Sequence, residues 1–199
     1  MKKIDQKPLV LASASPRRKL LLEQMGIYPV IHPAMIDESD IPWQAPDLFV
    51  TTLAEQKAKA VASTYPDHWV IGADTIVVLN GNPLGKPASK EQAVHMLESL
   101  SGNTHSVHTG YAICHDRDNR LILGSVCSQV MFKALSEDEI QWYTDTDEPY
   151  DKAGAYGVQG IGAFLVEKIQ GSYSNVVGLP VCEVFNQLLH HDIIQIIDQ

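Results

Sequence analysis

Cysteine is scarce in this 199-residue chain. The three that occur, Cys114, Cys127 and Cys182, stand far apart with no C-x-x-C pair. That excludes a disulfide framework and a cysteine-built zinc centre, and the three read as small core hydrophobes. No apolar run approaches a membrane span, and "PLVLASAS" is too short, and too soon followed by Pro16, Arg17 and Arg18, to act as an export signal. Basic residues are outnumbered, with 15 Lys and Arg against 24 Asp and Glu, and the formal charge of -9 disfavours loose binding to a nucleic acid polymer. Walker A, G-x-G-x-x-G and G-x-S-x-G patterns are all missing, which excludes a P-loop, a Rossmann dinucleotide site and a serine-hydrolase elbow. The expectation is a soluble cytoplasmic protein with no membrane and no polymer as partner. A small anionic ligand requires positive groups that converge locally.

Hydrophobic residues make up 45% of the chain, enough for a substantial core in a single domain, residues 1–199, with two closely joined lobes. The run "PLVLA" predicts a buried strand, Ser13-Ala14-Ser15 a turn and cap, and "PRRKLLLEQM" a helix closed by Gly26. "IYPVI" predicts a second strand and residues 47–65 a second helix. In "WVIGADTIVVLNGNPLGKP" two apolar runs are divided by Asp74 and Thr75, and Asn80-Gly81 marks a turn. A helix capped by Ser89 follows, then a hairpin of residues 104–115 and 120–132, a short helix capped by Ser136, a strand in "AFLVEKI", and a last helix opened by Pro180 that carries Val184, Leu188 and Ile194. Strands alternating with helices at both ends, with a hairpin between, indicate an α/β fold with a mixed sheet.

Some side chains in this pattern point to chemistry. Arg17 and Arg18 stand at a helix start, where exposed N–H donors repel cations, so an anion is the natural compensation. The turn can hold phosphate oxygens through its backbone and through Ser13 and Ser15, and a guanidinium can clasp a phosphate in two places. The bland alternative is a surface pair with Glu23. Lys57 shares a helix face with Val50, Ala54 and Val61, so its charge either turns inward or snorkels to solvent. Asp74, read at the end of a buried strand, can bind a divalent cation or accept a proton from water, or else cap a bend. Asp37, Glu38 and Asp40 in the loop after the second strand offer further hard oxygens, or are simply solvated. Lys86 in "LGKP" is a cation on a constrained turn, and Gln159 in the glycine-rich "DKAGAYGVQGIGAF" carries an amide able to pair with a base. His105 and His108, three apart on a strand, and His190 and His191 on the terminal helix read as structural or exposed.

Taken together, "LVLASASPRRKLLLEQMGI", "LAEQKAKAV", "VIGADTIVVLNGNPLGKP", "MLESLSGNTH" and "DKAGAYGVQGIGAFLVEKIQGSYSNVVGLP" resemble the Maf-like nucleoside triphosphate pyrophosphatases over nearly the whole chain. "DKAGAYGVQG" is similar to the branch acting on dTTP and UTP, whereas the branch acting on 7-methyl-GTP has an acidic residue in place of Gln159. Gly85 departs from many relatives, which carry an acidic or other side chain there. The resemblance implies an elongated mixed sheet flanked by helices, with two lobes around a central cleft. It assigns Asp74 as proton acceptor, Arg17, Thr75 and Gln159 as substrate-selecting residues, and Ser13, Lys57 and Lys86 as substrate contacts. Glu38 and Asp74 are implied as ligands of Mg2+ or Mn2+. The implied substrates are free pyrimidine nucleoside triphosphates, split to the monophosphate and pyrophosphate by a homodimer in the cytoplasm. The competing readings are a nucleotide-binding regulator of septum formation without turnover and a pyrophosphatase of the 7-methyl-GTP branch.

Overall fold

The computed structural model describes residues 2–38 and 41–198. Asp40, one of the three loop acids singled out above, lies outside the described residues. Among the described residues the strands and α-helices run β1 (Lys2–Gln6), β2 (Leu9–Leu11), α1 (Pro16–Gln24), β3 (Val30–Ile31), α2 (Pro46–Ala62), β4 (Trp69–Leu79), β5 (Asn82–Leu84), α3 (Lys90–Leu100), β6 (Thr104–His115), β7 (Arg120–Phe132), α4 (Glu137–Thr144), β8 (Val166–Gln170), α5 (Tyr173–Val177), α6 (Val181–His190) and β9 (Ile194–Asp198). The main sheet has the order β3-β2-β4-β6-β7-β8, with β5 added to β4. It is mixed: β2 pairs in parallel with β3 and β4, while β4–β5 and β7–β8 are antiparallel. This is the expected α/β class, a mixed sheet flanked by helices. No helix among the described residues is long and apolar enough to cross a membrane.

The chain divides into two compact units, one of Met1–Asp74, Thr109–Val126 and Gly178–Gln199, the other of Thr75–His108 and Cys127–Val177. In the first unit, α2 lies against the sheet through a set of small side chains. Val10, Ala12, Ala54, Ala58, Val70 and Ala112 form one cluster, all essentially excluded from solvent. Two glycines permit the approach: a Cβ on Gly72 would lie 2.3 Å from the Ala54 carbonyl oxygen, and one on Gly110 would lie 2.4 Å from that of Val50. In the second unit the core is more aromatic. It gathers Val77, Leu97, Leu100, Phe132, Tyr143, Tyr156 and Leu165 around α3 and α4. Ser136 and Glu139 form a reciprocal capping box at the start of α4, which satisfies two otherwise orphaned donors.

Several local expectations need correction. The two apolar runs around Asp74 are one continuous strand, β4, so Asp74 and Thr75 are half-buried interruptions in its middle and not its end. Only Val30–Ile31 of "IYPVI" forms a strand. In "AFLVEKI" the strand begins at Val166, after a 3-10 turn spanning Gly160–Leu165. Ile194 is not on the last helix, which ends at His190. Asp192 adopts a left-handed backbone (φ 52°), and the chain returns as β9 to pair antiparallel with β1, a strand that periodicity did not disclose. Of the cysteines only Cys114 is a core residue, its thiol pushed up to about 11 by burial, whereas Cys127 and Cys182 are exposed.

Candidate active site

In the first unit the turn between β2 and α1 is organised by two serine hydroxyls. Ser15 caps α1, its Oγ accepting from the Arg18 N–H, and Pro16 occupies the first helical turn. Ser13 Oγ accepts from the Ser15 N–H at 3.2 Å and from Arg18 Nη1 at 3.2 Å. Arg18 also donates from Nε to the Gly178 carbonyl at 2.8 Å, so its planar group ties the turn to the segment ahead of α6. Burial draws the Arg18 guanidinium below its ordinary pKa. Asp74 and Glu38 pull it back up, while Arg17 beside it pushes down. These four charges therefore share one electrostatic neighbourhood. Arg17 itself is half-buried on the same turn.

The carboxylates meet on Lys57. Residues Val70, Gly72 and Asp74 share one face of β4, and Val70 packs in the cluster that contains Ala54 and Ala58 of α2. Because Gly72 lets α2 sit directly on the strand, Lys57, one position before Ala58, is brought beside Asp74. Its ammonium lies 2.6 Å from Asp74 Oδ1 and 2.7 Å from Glu38 Oε1. The side chains of Lys57 and Asp74 are each only 14% exposed, against 53% for Glu38. Lys57 therefore turns inward and does not snorkel. One ammonium bridging two carboxylates relieves the repulsion they would otherwise feel, and it leaves oxygen atoms of both available for another cation. No group of three His, Cys, Asp or Glu suited to a metal occurs among the described residues. The donor set nevertheless fits Mg2+ or Mn2+, which are held by one or two carboxylates together with phosphate oxygens and water.

The second unit carries Thr75, Lys86 and Gln159. Thr75 is half-buried in β4, directly after Asp74. Lys86 is exposed on the turn after β5, where the Gly85 carbonyl accepts from the Gly154 N–H at 3.0 Å. That bond fastens the Lys86 turn to the glycine-rich segment. Gln159 is half-buried at the start of the Gly160–Leu165 turn. The loop around it is wrapped on Glu148, a residue that sequence reading did not single out. Its Oε1 accepts from Tyr143 Oη at 3.0 Å and the Gly162 N–H at 2.8 Å, and its Oε2 from the Ile161 N–H at 2.9 Å. The signal available in sequence was one of four acids in "DTDEPYD", a stretch that looks like any solvated turn.

Of the eight histidines, the four considered above hold to structural or surface positions. His105 Nε2 meets Tyr156 Oη at 2.6 Å in the core, His108 lies beside Ser106 and Cys127, and His191 meets Arg120 at 2.8 Å.

With this geometry in place, similarity to known proteins is informative. The profile of the Maf-like protein family matches residues 8–191. A dTTP/UTP pyrophosphatase of Desulfotalea psychrophila is 47% identical over 190 residues, covering 96% of this chain and 97% of the relative. Proteins of the same description from Geobacter sulfurreducens and Halalkalibacterium halodurans are 48% and 46% identical, covering 90% and 93% of this chain and 94% and 96% of those relatives.

Proposed function

The chain belongs to the Maf-like protein family, and from that premise we propose that it hydrolyses dTTP and UTP to the nucleoside monophosphate and pyrophosphate. The observation that carries the reading is the Lys57 ammonium held between Asp74 and Glu38, in the electrostatic neighbourhood of the arginines at the start of α1. Asp74 takes a proton from a water molecule as that water's oxygen bonds to the α-phosphorus. The bond from the α-phosphorus to the α–β bridging oxygen breaks, and its electron pair leaves with pyrophosphate. Asp74 Oδ1 is engaged by Lys57, and the carboxylate keeps a second oxygen for the proton. Arg17, Ser13, Lys57 and Lys86 bind phosphate oxygens, and the orphan N–H groups of α1 add to the same attraction. Thr75 and Gln159 select the base, the amide matching the carbonyl acceptors and N3 donor of a pyrimidine.

Glu38 and Asp74 would hold a divalent cation, whose contribution is to neutralise charge on the triphosphate. The same reading takes the protein as a homodimer at work in the cytoplasm, which its mass in solution and cell fractionation test. The deciding experiment incubates the purified protein with dTTP or UTP and Mg2+ or Mn2+. Equal amounts of monophosphate and pyrophosphate are expected. Release of orthophosphate with the diphosphate, or ligand binding without turnover, overturns the reading.

A further inference from the structure

We propose that Glu148 is a positioning residue for base selection, the internal template that sets the shape of the loop carrying Gln159. The inference rests on the reading that this loop meets the base. Three donors from the loop and its support converge on one carboxylate. Ile161 N–H reaches Oε2, while Gly162 N–H and the Tyr143 hydroxyl reach Oε1. Tyr143, fully buried, also accepts from the Gly157 N–H at 3.3 Å. The two side chains thus hold the backbone on both sides of Gln159, at 157 before it and at 161 and 162 after it.

The glycines record how closely the loop follows this template. A Cβ on Gly160, whose φ is +73°, would lie 2.7 Å from Glu148 Oε2, and one on Gly162 would lie 2.6 Å from Tyr143 Oη. Lys152 completes the support. Its ammonium donates to the Glu148 carbonyl at 2.6 Å, and a Cβ on Gly157 would lie 2.8 Å from its Cε. A carboxylate that accepts several N–H bonds is a strong, orientation-fixing acceptor, and an amide of the same size cannot replace it. In Glu148→Gln the new NH2 group must face either the Ile161 N–H or the pair formed by Gly162 and Tyr143, so one side of the loop loses its anchor.

The test measures kcat and KM over dTTP, UTP, dATP and dGTP for the wild type, Glu148→Gln, Tyr143→Phe and Gln159→Ala, with amide hydrogen exchange at Ile161 and Gly162. Tyr143→Phe deletes one hydroxyl from the core and guards against failure of Glu148→Gln to fold. The expected result for Glu148→Gln is faster exchange at both amides and a roughly tenfold narrowing of the pyrimidine-over-purine ratio, the scale of one lost charged hydrogen bond. The narrowing should arise from KM more than from kcat, and Tyr143→Phe should move in the same direction by less. If Gln159→Ala narrows the ratio but both template variants leave it unchanged, the inference is overturned and the role of Gln159 stands. If the template variants narrow it and Gln159→Ala does not, Glu148 keeps its role and the loop backbone reads the base. Should none of the three alter the ratio, both the template and the loop's part in selection are rejected.

Discussion

The two units use a carboxylate in opposite ways. In the first, Asp74 and Glu38 are held by another side chain, the Lys57 ammonium, and the backbone beneath is a tight floor of glycine and alanine. In the second, Glu148 is held by the backbone, and its two oxygens accept from loop N–H groups and a buried tyrosine. A carboxylate satisfied by a side-chain ammonium can exchange that partner for a cation or a proton without disturbing the chain. One satisfied by main-chain donors cannot be exchanged without moving the loop. The first arrangement suits chemistry and the second suits shape. Substitutions in each should therefore fail differently.

The largest effect is expected at Asp74. Asp74→Asn keeps the volume and leaves Lys57 with Glu38 as partner, so the fold should survive while the proton acceptor is lost. Turnover of dTTP should fall by about 100-fold or more with KM little changed. A variant that melts like the wild type and turns over at near-normal rate would remove Asp74 from the proton-accepting role and erase the contrast with Glu148.

Acid should expose the other side of the comparison. His105, 2% exposed, lies in the aromatic core of the second unit against Phe132 and Tyr156, and burial lowers its pKa to about 4. The unfolded chain, with its histidine near 6.5, binds the proton first. Stability is therefore complete above about pH 6.5 and is lost as pH falls toward 4, by up to about 3 kcal/mol from this group. Urea denaturation at pH 7.5 and pH 4.5, for the wild type and His105→Gln, checks this. The substitution should flatten the pH dependence, and an equal dependence in both proteins would clear His105 of it.

The charged half of the candidate site was legible in sequence because a charge on an apolar stripe has few comfortable places to go. Lys57 between Ala54 and Val61, and Asp74 between "VIGA" and "IVV", are conspicuous for that reason. What carries them was hidden. Gly72 and Gly110 matter through what their missing side chains allow, and nothing in the local pattern says that the backbone of α2 passes within contact of both. Glu148 was invisible for a related reason: two of its partners are main-chain N–H groups 13 and 14 residues further on, which every residue type but proline supplies. The pairing of β1 with β9 joins the two ends of the chain and has no local periodicity to announce it.

The glycine floor gives the next prediction. Gly72→Ala would set a Cβ 2.3 Å from the Ala54 carbonyl and 2.8 Å from the Ala58 nitrogen, both backbone atoms that cannot step aside alone. Lifting α2 to relieve that contact would draw Lys57 from Asp74. A stability loss of about 2 kcal/mol is expected, together with reduced activity at temperatures where the protein stays folded. Gly110→Ala acts on the same helix at Val50, so the double substitution should cost less than the two single losses combined. Strict additivity in thermal or urea denaturation would show that α2 does not move as one body.

Gly85 supplies the smallest effect and the sharpest control. It too is a glycine beside a residue of interest, Lys86, and its carbonyl holds the Gly154 N–H. Unlike Gly72, it has nothing within 4 Å of where a Cβ would stand, and its backbone lies outside the left-handed region. Neither packing nor torsion requires glycine there. Gly85→Ala restricts the unfolded chain without straining the folded one, so stability should rise by about 0.4–1 kcal/mol. The main-chain bond to Gly154 persists, so kcat/KM for dTTP should stay within about twofold of the wild type. A loss of stability comparable to that of Gly72→Ala would mean that the Lys86 turn is packed as tightly as the α2 floor, and the distinction between a unit held by backbone contact and one held by backbone hydrogen bonds would fail at that point.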